Sequence, residues 1–306
     1  MRVWSVLATI VTAAVTPGLL VGVPSASATP SCVPWSVTTV ASGFGMLENI
    51  AFDDSGSMYL SQTSPLGPGA IARMTPDTAR TVAVADVSSP GGIVVDGDTM
   101  YFTTGNGTAA GLFGTPDGTV DALDLVSGVR STYSRGLVMP NGLARAASGE
   151  LFATRNLGSA TGLTSVGAEA PHEPSVIRND LGTANGIAID GETLYVANTF
   201  EPELEISVLD VRDLDGPARR IPVDGFGPVT ASDDMTVGAD GQIYLSQNLA
   251  GRVLRIDPES ASWCVIGTGM PLTTSVAFGG FGGFGWDRES LYATSFDGTV
   301  RKLSPP

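Results

Sequence analysis

Along the chain, apolar residues recur in short runs separated by Gly, Asp, Asn and Ser, a spacing that suits β-strands and tight turns rather than helices. One unit repeats six times: a small or polar pair, two apolar residues, a turn, then a strand with Tyr or Phe near its start. The units open at Glu48-Asn49-Ile50-Ala51, Gly91-Gly92-Ile93-Val94, Asn141-Gly142-Leu143-Ala144, Asn185-Gly186-Ile187-Ala188, Asp233-Asp234-Met235-Thr236 and Thr274-Ser275-Val276-Ala277. The openings lie 41 to 50 residues apart, the period of a four-stranded propeller blade. Third strands are predicted at residues 70–73, 119–123, 175–177, 206–209, 253–256 and 299–302, and fourth strands at 81–84, 129–133, 219–223 and 264–267. The sixth unit runs out of chain after its third strand, and residues 36–40, ahead of the first unit, supply the missing one. The predicted fold is an all-β six-bladed β-propeller closed by its N-terminal strand, which leaves no sheet edge open.

Composition agrees. Glycine supplies 39 of 306 residues, close to twice the usual share of about 7%, as a chain of many tight turns requires. Sixteen Lys and Arg against 31 Asp and Glu give a net charge of −15, which excludes nucleic acid and anionic lipid as partners and favours cations and neutral small molecules. Arg2, an apolar run over residues 6–23 and Ala26-Ser27-Ala28 fit a secretory signal peptide over residues 1–28, leaving the propeller domain as residues 29–306. Pro17 and Gly18 interrupt the run, so no membrane insertion is expected, and the mature chain is assigned to an extracellular or periplasmic compartment as a monomer. Both cysteines lie in the mature chain. Cys32 precedes the closing strand and Cys264 lies on the outer strand of the fifth unit, so a disulfide between them is predicted to pin the ring shut.

The first strand of each propeller blade lines the central channel, so the leading residues Glu48, Gly91, Asn141, Asn185, Asp233 and Thr274 are expected at one mouth. Glu48, Asn141, Asn185 and Asp233 bring two carboxylates and two amides. Hard oxygen donors, in a chain with one His, select Ca²⁺ over zinc or copper. The competing reading is that Asn-Gly and Asp-Asp only shape strand-entry turns.

Residues 232–244, with Asp233-Asp234-Met235 at their start, and the continuation Gly251-Arg252-Val253 to Asp257-Pro258 resemble the P-D-G-M block of the gluconolactonase, regucalcin and senescence-marker family. Asn185-Gly186-Ile187-Ala188 is similar to that family's N-G-L block, and Glu48 sits where its N-terminal metal-binding Glu is expected. The resemblance covers nearly the whole mature chain. It implies a six-bladed propeller with a divalent cation on its axis, hydrolysing lactones, with Glu48, Asn185 and Asp233 as ligands and Asn141 as a further ligand or substrate contact. Two departures stand out. Met139 occupies the place of the Arg carried by the family's sugar-lactone members, which argues against a hydroxyl-rich sugar acid and for an apolar or aromatic substrate. The Asp233-Asp234 pair resembles the adjacent acid-amide ligands of paraoxonase-type lactonases, although the His pair of those enzymes has no counterpart.

Other chemistry is sparse. No G-x-S-x-G, C-x-x-C or phosphate-loop motif occurs, and the glycine-rich residues 279–285 read as a flexible loop rimming the channel. His172 reads as a solvent-exposed loop residue between strands of the third unit, and Asn106-Gly107-Thr108 matches a glycosylation sequon. The expected activity is opening of a small lactone or ester, with Ca²⁺ or another divalent cation as Lewis acid and Asp233 or Asp234 taking the water proton. The alternative is a non-catalytic propeller that binds a ligand or partner protein.

Overall fold

A computed structural model describes residues 32–65, 67–280 and 285–306, and they build six four-stranded antiparallel sheets, the six blades of a β-propeller. The expected signal peptide lies outside the described residues. Blade one runs from the inner strand Met46–Phe52 through Met58–Thr63 and Gly69–Met74 to the outer strand Arg80–Val87. The inner strands of blades two to six are Ile93–Asp96, Leu143–Arg145, Ala184–Asp190, Ser232–Val237 and Thr273–Phe278. In blade six the order is Thr273–Phe278, Leu291–Ser295, Val300–Ser304 and then Ser36–Ala41, so the first strand of the chain is the outer strand of the last blade. It pairs antiparallel with Ser36 opposite Ser304. Two short helices interrupt the pattern, α1 (Thr108–Phe113) in blade two and α2 (Gly227–Thr230) between blades four and five.

Blade three departs from the sequence expectation. Its third strand is Gly162–Val166, and Pro174–Arg178, expected as the third, is the outer strand. The strand Gly162–Val166 follows a run of Gly, Ser and Thr that resembles a loop, yet Leu163 and Val166 point inward and are fully buried. One further placement differs. The ring of His172 stacks on Tyr133 at 3.8 Å and one of its nitrogens lies 2.9 Å from the Gly167 carbonyl, so it is half-buried. Of the glycine-rich stretch, residues 281–284 lie outside the described residues, and its flanks sit at the end of the inner strands opposite the leading residues. There the indole of Trp286 donates to the Gly56 carbonyl and packs on Phe52 and Tyr292.

The core lies between blades. One apolar cluster joins Tyr195, Ala197 and Ile206 of blade four to Met235, Ile243 and Leu245 of blade five, and its counterparts repeat around the ring. This explains the aromatic in each unit. Tyr59, Phe152, Tyr195, Tyr244 and Tyr292 are buried in these seams. The hydroxyls of Tyr59 and Tyr244 reach the rim of the fold, donating to Asp53 and Asp240 at 2.9 Å, so the rings are buried without stranding a polar group. Cys32 and Cys264 form a disulfide with a Cα–Cα distance of 5.8 Å, and Trp35 N–H donates to the Ile266 carbonyl beside it.

Candidate functional site

The mouth is shaped by a backbone irregularity shared by four inner strands. Pairing with the second strand skips two residues at Glu48-Asn49, Asn185-Gly186, Asp233-Asp234 and Thr274-Ser275. Bulges of this kind re-aim side chains next to functional sites. At Glu48, Asn185 and Asp233 they turn the leading residue to the mouth and leave its successor one layer deeper on the axis. The glycines of the N-G pairs are therefore not turn residues. A Cβ on Gly142 would lie 2.6 Å from the Asn185 carbonyl oxygen, and one on Gly186 would lie 2.2 Å from that of Asp233. Only hydrogen fits where neighbouring inner strands converge. In every blade but the fourth, where Ala197 stands, a hydroxyl follows the aromatic of the second strand by two residues, and several of these tie the same seam. Thr103 donates to the Asn141 carbonyl at 3.1 Å, Thr154 to that of Asn185, and Ser246 to that of Thr274 at 2.7 Å.

Glu48, Asn141, Asn185 and Asp233 are all buried and line one cavity of about 740 Å³ at the mouth. Thr274 does not join them, because its hydroxyl donates to the Leu47 carbonyl at 2.8 Å. The Asn185 amide donates to one Asp233 oxygen at 3.0 Å and the Asn248 amide to the other at 3.0 Å, while the Asn106 amide donates to Glu48 at 3.2 Å. Asn106, Asn156 and Asn248 complete the polar lining, and sequence reasoning missed them. Each sits just past the end of a second strand, so a second period was present in the repeat: Asn156, Thr199 and Asn248 each follow the aromatic of their second strand by four residues. The sequon asparagine, Asn106, thus faces the cavity.

Asp234 faces elsewhere. Its carboxylate accepts hydrogen bonds from the Asn49 amide, from the Ser275 hydroxyl at 2.8 Å and from Ile187 N–H at 3.3 Å, and Asn49 in turn accepts from Ile93 N–H at 3.1 Å. One carboxylate and one amide therefore join blades one, two, four, five and six directly beneath the mouth. Of the two acids expected to serve as base, Asp233 lines the cavity and Asp234 does not.

Burial pushes the Glu48 carboxyl up to about 7, with the charge of Asp234 adding to the rise and the Asn106 amide opposing it. Burial, then the charges of Glu48 and Asp234, raises Asp233 well above the usual carboxylate range against the pull of the Asn248 and Asn185 amides. Burial also raises Asp234, opposed by its hydrogen-bond donors. Among the described residues no Lys or Arg pairs with any of the three. Buried acids without a counter-charge are costly. A cation at the mouth would offset that cost. Among the described residues no three His, Cys, Asp or Glu side chains gather as a metal site. The donors that do gather are two carboxylates and several amides, and the buried Oδ1 atoms of Asn106 and Asn156 have no hydrogen-bond partner there. That oxygen-only set fits a hard divalent cation.

By sequence, no curated protein matches the chain. By structure, it resembles a calcium-binding protein, regucalcin, from Agrobacterium tumefaciens (TM-score 0.68, 18% identity, 90% of this chain and 95% of that one). A gluconolactonase from Xanthomonas campestris gives a TM-score of 0.66 at 17% identity over 92% and 99% of the two chains. A luciferin-regenerating enzyme gives 0.64 at 16% over 88% and 95%. At such identities the likeness establishes the fold. The model of the SMP-30/gluconolactonase/LRE-like region matches residues 66–297, most of the propeller, and the chain belongs to that family.

Proposed function

We propose that the protein is an exported lactonase, a carboxylic ester hydrolase dependent on a divalent cation, most simply Ca²⁺, and acting as a monomer on small lactones. The observation that carries this reading is the meeting of Glu48, Asn141, Asn185 and Asp233 in one cavity with two buried, uncompensated carboxylates. Family membership and the gluconolactonase neighbour support it, and the disulfide supports export. When bound by these four residues, the cation supplies Lewis-acid polarisation of the ester carbonyl.

The side chains supply the rest. Amides of Asn106 and Asn156 orient the ring on the polar floor of the cavity. Asp233, lining the cavity beside the ring, takes the proton of the attacking water and returns it to the ring oxygen as the ring C–O bond breaks, giving a hydroxy acid. Asp234 acts as a positioning residue, holding blades together under the site. The test is calorimetric titration of chelated protein with Ca²⁺, followed by a lactone panel. Asp233→Asn should lose both cation affinity and turnover, the latter by about 10²–10³, the scale on which an oxyanion stabiliser matters. Asp234→Asn should lower stability while keeping measurable affinity. Uptake of Ca²⁺ without turnover of any lactone would favour the binding-propeller alternative.

A further inference from the structure

The mouth cavity has two chemically different halves. Its floor carries the carboxylates and amides already described. Much of its wall is apolar, with Met46, Met139, Leu157, Phe200, Leu249 and Phe296. Among the described residues no Lys, Arg or His lines it, so no basic side chain there meets a second anionic group on a ligand. The space also exceeds what a bare lactone needs. A five-membered lactone has about six heavy atoms, and at roughly 30 Å³ for a water-sized group it would fill about a quarter of the 740 Å³.

The apolar wall continues out of the cavity on the side of blades four and five. The backbone of α2 is fastened to the wall there: Leu249 N–H donates to the Thr230 carbonyl at 3.1 Å, and Gly227 lies against the backbone of Thr199 and Phe200 so closely that a Cβ would clash. Phe200 and Leu249 are 43% and 54% exposed, and Phe226, which caps the start of α2, and Val229 within it are 50% and 64% exposed. Phe200 and Leu249 thus form a solvent-exposed apolar ledge at the edge of the cavity, with α2 and its exposed apolar side chains fastened beside it. Solvent-exposed apolar patches of this kind mark binding surfaces.

Building on the lactonase reading, we infer that the substrate is an amphiphile: a lactone ring bearing an uncharged alkyl chain, with the ring on the polar floor and the chain along Phe200 and Leu249 toward α2. The test uses five-membered lactones carrying no chain, a butyl chain or an octyl chain, with Ca²⁺ supplied. Beside them runs the matching series of lactams, whose ring N–H replaces the ring oxygen and whose binding is read by calorimetry without any turnover. Each methylene fully buried is worth about fourfold. The expected result is a gain of at least about tenfold, in kcat/KM for lactones and in affinity for lactams, from the bare ring to the butyl compound. A terminal carboxylate on the chain should remove most of that gain. Phe200→Ser with Leu249→Ser should flatten the dependence on chain length, with a thermal melt confirming that the ring of blades is intact. Lactone hydrolysis indifferent to chain length overturns this inference and leaves the lactonase reading standing. Chain-dependent lactam binding without hydrolysis does the reverse. A chain-length dependence that survives in the double variant overturns the placement on this ledge, and absence of both hydrolysis and lactam binding overturns both readings.

Discussion

Glu48 and Asp233 are acids held away from water by surroundings that, among the described residues, offer them amides but no basic side chain, and their titration should be visible in stability. The folded-state value for Glu48 lies near 7, above its ordinary value of 4.5, so its protonated form favours folding. That contribution is complete below about pH 4.5 and is lost as pH rises through about 7, amounting to about 3 kcal/mol of destabilisation at higher pH. The buried Asp233 shifts in the same direction. Chelated protein should therefore melt several degrees higher at pH 5 than at pH 8, and saturating Ca²⁺ at pH 8 should restore most of the difference. A melting temperature flat over this window in chelated protein would mean that the two acids are better solvated than their burial indicates. At this scale the sequence revealed the four leading residues through their period. It did not reveal Asn156 and Asn248, because the strand pattern stops before them and lone asparagines after a strand read as turn chemistry. Nor did it separate Asp233 from Asp234, since their opposite fates depend on a bulge whose position leaves no mark in the hydrophobic pattern.

The inner strand is the element on which the site depends, and its glycines fix how closely one blade approaches the next. Gly142 and Gly186 have backbone angles open to any residue, so their role is space, not conformation. Gly186→Ala would drive a methyl into the Asp233 carbonyl 2.2 Å away, and backbone must shift to admit it. The expected outcome is a loss of stability of about 1–3 kcal/mol, the usual cost of overpacking, together with a fall in cation affinity because the displaced residue is a proposed donor. Denaturant unfolding and calorimetry on the same sample check the two effects. Ala at exposed Gly191, where nothing approaches within 4 Å but φ is +58°, should cost stability and leave cation affinity untouched. Element existence was legible in twenty-odd short apolar runs. Blade three was read with one strand too few, because Gly162–Val166 buries only two large side chains and is announced by a glycine-rich approach.

At the scale of the molecule, closure rests on one strand pairing and one covalent bond. The strand Ser36–Ala41 completes blade six, whereas Cys32–Cys264 fastens its leader to the outer strand of blade five, so the disulfide crosses a seam that the pairing does not. Tying residues 232 apart in sequence removes much freedom from the unfolded chain, and the chain-entropy model places the stabilisation at about 5 kcal/mol. Cys32→Ser with Cys264→Ser should keep the propeller and lower its unfolding free energy by up to that amount in equilibrium denaturation. An unchanged midpoint would mean that the seam of Trp35, Tyr244 and Leu303 holds the leader without help. This closure was legible from the sequence as a strand missing at one end and spare at the other, which no local pattern could have shown.

The ring also imposes an order of events. The donors at the mouth come from blades one, three, four and five, and their convergence requires blade six, whose outer strand is the first to be synthesised and whose third strand is the last. Contacts of such sequence separation form late and slowly. A chain emerging with Glu48, Asn141 and Asn185 already made has three of the four proposed donors but not the cavity. A ligand that needs all four donors can therefore bind only after the final strand has found the first, which makes occupancy a record of finished folding.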